Sequence, residues 1–216
     1  MVRCHFDAQL EQLHTELIKM GALCEEAIRA SVTAMEEFSP EAAEKAQEKD
    51  SVIDRKERDI EALCMRLLLQ QQPVASDLRR ISSALKMISD MERIGDQARD
   101  IAEIMKHVKQ HDAEREKHIR QMAEAVVKMV TDSVDSFVKM DLELAQSVIR
   151  YDDVVDELFV TVRKEIIESI STDRASGELY VDLLMAAKYL ERIGDHATNI
   201  AEWVEYAITG RHILAE

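Results

Sequence analysis

Only five glycines and two prolines interrupt a chain of 216 residues, and aromatic side chains make up 4% of it. So few breakers and so few β-favouring rings leave little material for strands and tight turns, whereas the helix formers Ala, Leu, Glu, Met, Lys and Arg are abundant. Cysteine is scarce too. Cys4, Cys24 and Cys64 are odd in number and lack a CxxC spacing, which speaks against a disulfide framework or a zinc knuckle and for a reducing compartment. No apolar run approaches the roughly 18 residues of a membrane span, and no basic-then-apolar leader opens the sequence. The expected home is the cytoplasm, without membrane insertion. Positive charge is in deficit: 28 Lys and Arg face 43 Asp and Glu, for a net charge of −15. The basic runs, Arg55-Lys56-Glu57-Arg58 and Arg79-Arg80, have carboxylates in or near them, so direct binding of nucleic acid or anionic lipid is not expected. Neither a nucleophile with an oriented base nor a glycine-rich phosphate loop is found, so no enzymatic activity is expected.

What the sequence does have is a repeat. Glu92-Arg93-Ile94-Gly95-Asp96-Gln97-Ala98-Arg99-Asp100-Ile101-Ala102-Glu103 returns as Glu191-Arg192-Ile193-Gly194-Asp195-His196-Ala197-Thr198-Asn199-Ile200-Ala201-Glu202, nine of twelve positions identical at an offset of 99. Further upstream the offset is 102: Asp50, Val52, Ile53 and Asp54 align with Asp152, Val154, Val155 and Asp156, and Ser31-Val32 with Ser133-Val134. Such self-similarity means a doubled structural unit.

The apolar spacing predicts six long helices. Phe6, Leu10, Leu13, Leu17, Met20, Cys24, Ile28, Val32 and Met35 recur every three or four residues and mark a helix over about 5–37. Ser39-Pro40-Glu41 reads as an N-cap and first turn, opening a second helix to about Gln71. Pro73 ends it, and a third helix over about 76–110 holds the first copy of the motif. A charged stretch, 111–117, joins the halves. A fourth helix follows, then a fifth from a cap at Asp141 to about Ile170, a turn over 172–177, and a sixth over about 178–208 with the second copy. The fold class is all-α, two tandem pseudo-symmetric three-helix bundles, with repeats at 1–110 and 111–216.

On a helical wheel Glu92, Asp96, Asp100 and Glu103 share an arc of roughly 80°. Glu191, Asp195, Asn199 and Glu202 take the same places. Like charges four residues apart each destabilise a helix by roughly 0.2–0.5 kcal/mol, and an interior glycine by about 1 kcal/mol. Either a cation sits on the stripe, or the stripe is solvated and Gly95 and Gly194 admit a neighbouring helix. Asp50 and Asp54, with Asp152 and Asp156 in the second half, could converge on these stripes from the second helix of each bundle. Oxygen-only ligation of that kind suits Mg, Mn, Ca or Fe better than Zn in a closed structural site.

These residues resemble the PhoU family of phosphate-transport accessory regulators. The opening Phe6-Asp7-x-x-Leu10 with Met20-Gly21, the connection Gln71-Gln72-Pro73-Val74-Ala75-Ser76-Asp77-Leu78-Arg79-Arg80-Ile81, and the paired signatures Glu92-Arg93-Ile94-Gly95-Asp96 and Glu191 to Glu202 carry the likeness over nearly the whole chain. The resemblance implies a non-catalytic, often dimeric protein of two similar three-helix bundles. Such a protein restrains the phosphate-starvation response by linking a phosphate ABC transporter, through its PstB-type ATPase subunit, to a PhoR-type sensor histidine kinase. It also implies metal clusters in some members (Fe, Mn, Mg or Zn), with Glu92, Asp96, Asp100, Glu191 and Asp195 as leading ligands and Asn199 marking a difference between the halves. Arg93 and Arg192 are candidate partner contacts, or ordinary surface ion pairs. A different class, a carboxylate-bridged di-iron or di-manganese oxidase or metal store, would use paired Glu-x-x-His spacings. Glu11 to His14 offers one and has no symmetric mate. The eleven methionines, Met87, Met91 and Met105 among them, read as core filler.

Overall fold

The computed structural model describes residues 2–37, 39–70, 74–105 and 117–211. Six helices carry them: α1 (Val2–Glu37), α2 (Pro40–Gln70), α3 (Ala75–Met105), α4 (Lys117–Lys139), α5 (Leu142–Thr172) and α6 (Gly177–Thr209), with one 3-10 turn at Arg174–Ser176. Among the described residues there is no strand. The predicted break at Pro73 and the connection 111–117 fall outside the described residues, apart from Lys117, which opens α4. So does the predicted extension of the third helix to 110.

The helix ends follow local chemistry. The hydroxyl of Ser39 accepts from the Ala42 amide at 3.2 Å, one of the four amides that an α-helix leaves without an internal partner at its start. Pro40, with no N–H to strand, takes the first helical position behind that cap. Asp141 does the same work for α5, accepting from Leu144 N at 3.0 Å. Gly210 closes α6 at φ 73°, a left-handed conformation that glycine adopts without a steric penalty.

Packing follows the apolar stripes. On α4, Ile119, Met122, Val126, Met129, Val130, Val134 and Phe137 are all buried and recur at helical spacing. One continuous apolar cluster draws on all six helices, from Leu13 and Met20 on α1 through Ile53, Met87 and Phe137 to Val155 and Leu190. The two bundles therefore share a core. Ser31 and Ser133, aligned at the offset of 102, are both buried and donate to carbonyls three residues earlier, at 2.8 and 2.9 Å. A hydroxyl bonded to its own helix can be buried without a stranded donor. Helices α3 and α6 pack antiparallel across the join: Arg79 reaches the Ala207 carbonyl at 3.5 Å, Lys86 lies 5.9 Å from the Trp203 ring centre, and Asp90 meets Asn199. Gly21 lets α1 approach α4, since a Cβ there would come 3.2 Å from Val134 Cγ2.

Candidate functional site: two carboxylate stripes

Gly95 and Gly194 are the points where the stripes are built. A Cβ on Gly95 would lie 2.9 Å from Ile53 Cδ1 and 3.3 Å from Asp50 Oδ1; one on Gly194 would lie 3.1 Å from Asp152 Oδ1 and 3.5 Å from Val155 Cγ1. The glycine of each signature thus allows the second and third helices of its bundle to touch. That contact presses the α2 or α5 aspartate against the α3 or α6 stripe.

In the first half Asp50 is 6% exposed and joined to Arg99, whose Nη1 lies 2.9 Å from Asp50 Oδ2 and 2.5 Å from Asp96 Oδ1, while Nη2 donates to Asp100 Oδ1 at 3.1 Å. Burial raises the Asp50 carboxyl pKa; Arg99 opposes that rise, and Asp96 and Asp54 add to it. Glu92 is raised by burial and then by the charges of Asp96, Glu57, Asp54 and Asp50. For Arg99, burial disfavours the charge, but its bonds to Asp50 and Asp100 outweigh that and hold the guanidinium ionised. The structure therefore gathers Asp50, Asp54, Glu92, Asp96 and Asp100, as the sequence predicts, and adds two residues that the spacing argument missed. Glu57 continues the Asp50, Asp54 row by one more turn, and that periodicity was the available signal. Arg99 is one of only three positions at which the two signature copies differ.

In the second half Asp152 faces Asp195, Asp156, Glu191 and Asp153, and burial followed by these charges pushes its carboxyl up to about 6. Asp195 is raised by burial and by Glu191, with Lys188 opposing. Lys188 holds Glu191 in an ion pair. Asn199 does not join this group: its side-chain amide donates to Asp90 Oδ1 at 3.2 Å, and His196 Nδ1 lies 2.9 Å from the same oxygen. Asn199 thus turns from the second stripe to the join with α3, where His196 also lies, because α6 packs against α3 along that flank.

The donor chemistry of the stripes suits a hard cation, and the chain's own side chains already answer part of that charge. Among the described residues no three or more His, Cys, Asp or Glu side chains are disposed to hold an ion. The first stripe is taken up by a guanidinium, and in the second Glu191 is drawn to Lys188 and Asn199 to Asp90. The oxidase-like reading is not favoured either, since His14 packs edge-on against Phe137 with ring centres 5.9 Å apart and His196 is bound to Asp90. The buried thiols of Cys24 and Cys64, pushed up to about 12 chiefly by burial, are unreactive core fillers. Arg93 and Arg192 are exposed, the latter 5.7 Å from the Tyr189 ring centre.

Comparison with known proteins settles the kinship of this doubled arrangement. The profile of the PhoU domain matches residues 17–105 and again 119–204. The chain belongs to the PhoU family. It is 39% identical to the phosphate-specific transport system accessory protein PhoU homolog of Clostridium acetobutylicum over 217 aligned residues, covering 99% of this chain and 98% of that one. The Pseudomonas aeruginosa homolog of the same name is 37% identical, with 96% and 88% covered. The crystal structure of PhoU from Pseudomonas aeruginosa superposes with a TM-score of 0.87 at 35% identity, covering 95% of this chain and 100% of that one. The phosphate transport system regulatory protein PhoU from Streptococcus pneumoniae gives 0.87 at 29% identity, covering 97% and 100%. In this PhoU-family chain the shared fold carries both signatures, and the side chains around them give each half its own character.

Proposed function

We propose that this PhoU-family chain is an accessory regulator of the phosphate-specific transport system that holds the phosphate-starvation response off while phosphate is plentiful. The observation that carries this reading is the doubled PhoU domain, present over nearly the full length of relatives that bear that name. The protein acts by contact and not by catalysis. A helical body with both signatures on one shared core bridges the PstB-type ATPase subunit of the transporter to a PhoR-type sensor kinase, working in the cytoplasm as a homodimer. No helix among the described residues is long and apolar enough to cross a membrane, which agrees with a protein that visits membrane-bound partners from solution. Arg93 and Arg192, exposed at matching places on α3 and α6, are the side chains we assign to partner contact.

The test is a phosphate-starvation reporter in phosphate-rich medium, in cells that lack this gene. Activation of the reporter, reversed by the intact gene, is the expected outcome. A reporter that stays silent in the deletion strain would remove this role.

A further inference from the structure

We propose that Arg99 is a resident counter-cation that keeps divalent metal out of the first carboxylate stripe. Three carboxylates on two helices meet one guanidinium: Asp50 at 2.9 Å, Asp96 at 2.5 Å and Asp100 at 3.1 Å. These are charge-assisted contacts to a planar, permanently charged group with five donors. Asp50 Oδ1 is buried against Gly95 with no hydrogen-bond partner, so the contact of Oδ2 with Arg99 is the one bond that answers this buried carboxylate. A divalent ion entering it, at the 2.0–2.6 Å that oxygen ligands require, would have to displace the guanidinium or stand beside it against a like charge.

The second half shows what the stripe looks like without that residue. Thr198 occupies the position equivalent to Arg99, and its hydroxyl oxygen is buried without a hydrogen-bond partner. Asp100 has become Asn199, so the second copy has exchanged an internal ion pair for two neutral residues. Duplication has therefore produced one stripe with an arginine at its centre and one without it on a common scaffold.

The experiment titrates the full chain with Mn(II), following free ion by electron paramagnetic resonance and heat by calorimetry. The protein is taken as wild type, Arg99→Thr, Arg99→Gln and Arg99→Thr with Asp50→Asn. We expect both single variants to bind one more Mn(II) per chain than wild type, and the double variant to lose that gain. Circular dichroism with and without Mn(II) guards against misfolding, and a single variant that folds only with the ion counts as a gain. Equal stoichiometry in wild type and both single variants overturns the proposal. So does Asp50→Asn lowering Mn(II) binding in a chain that retains Arg99, or both single variants failing to fold with Mn(II) present.

Discussion

Replacing Asp152 with Asn should make this protein more stable at neutral pH and remove a specific part of its pH dependence. The native carboxyl is held at about 6, against an ordinary 3.8, first by burial and then by Asp195, Asp156, Glu191 and Asp153. Because the folded-state value is the higher one, the folded chain binds this proton more tightly than the unfolded chain. Its contribution therefore opposes folding above pH 6, shrinks as pH falls through 6, and is gone below about 4. A displacement from 3.8 to about 6 corresponds to at most ~3 kcal/mol at pH 7. Solvent screening at this partly exposed position reduces the figure to about 1–2 kcal/mol. The amide of Asn keeps the shape and carries no charge, so Asp152→Asn should raise the melting temperature at pH 7.5 by about 2–6 °C for a domain of this size. The difference should fade by about pH 4.5. Thermal unfolding followed by circular dichroism over pH 4.5–8 reads it directly. Parallel curves for wild type and variant, or a variant less stable at pH 7.5, would refute the electrostatic reasoning.

Gly95→Ala should lower stability by about 1–2 kcal/mol, because the new methyl meets Ile53 Cδ1 at 2.9 Å in a fully buried place, and overpacking outweighs the gain of about 1 kcal/mol in helix propensity. Gly194→Ala meets nothing closer than 3.1 Å and should be nearly neutral; urea unfolding of the two variants compares them, and equal losses would undo the contact argument. Ser39→Ala removes the cap on α2 and should destabilise by about 1 kcal/mol in the same assay. Phe137→Ala empties a fully buried site at the end of α4 and should reduce stability by about 3–5 kcal/mol. Arg93→Glu combined with Arg192→Glu should leave the helical spectrum unchanged while weakening co-purification with the ATPase subunit or the kinase; retention of both partners would count against these arginines as contacts.

The helices were legible because each is written locally. A stripe such as Met122, Val126, Met129, Val130 and Phe137 has one period, and caps such as Ser39 and Asp141 act within three residues of themselves. The repeat was legible for the same reason: an identical signature at a constant offset needs no knowledge of contacts. It also showed that Asp50 and Asp54 could converge on Glu92 and Asp96, since two helices of one bundle can bury matching faces.

What only the tertiary structure decided is which charge answers which. Arg99 follows Asp96 by three residues, a spacing that on its own suggests a surface ion pair. It becomes the centre of the first stripe because the Gly95 contact brings Asp50 in from another helix. Asn199 sits in a row with the second stripe and His196 about 100° round the helix from Asp195, yet both bond Asp90, because α3 and α6 pack against each other along that flank. The sequence determined the helices, their doubling and the supply of carboxylates, through interactions between near neighbours. The partners of those carboxylates, and with them the difference between the halves, depend on helix packing across about fifty to a hundred residues of chain.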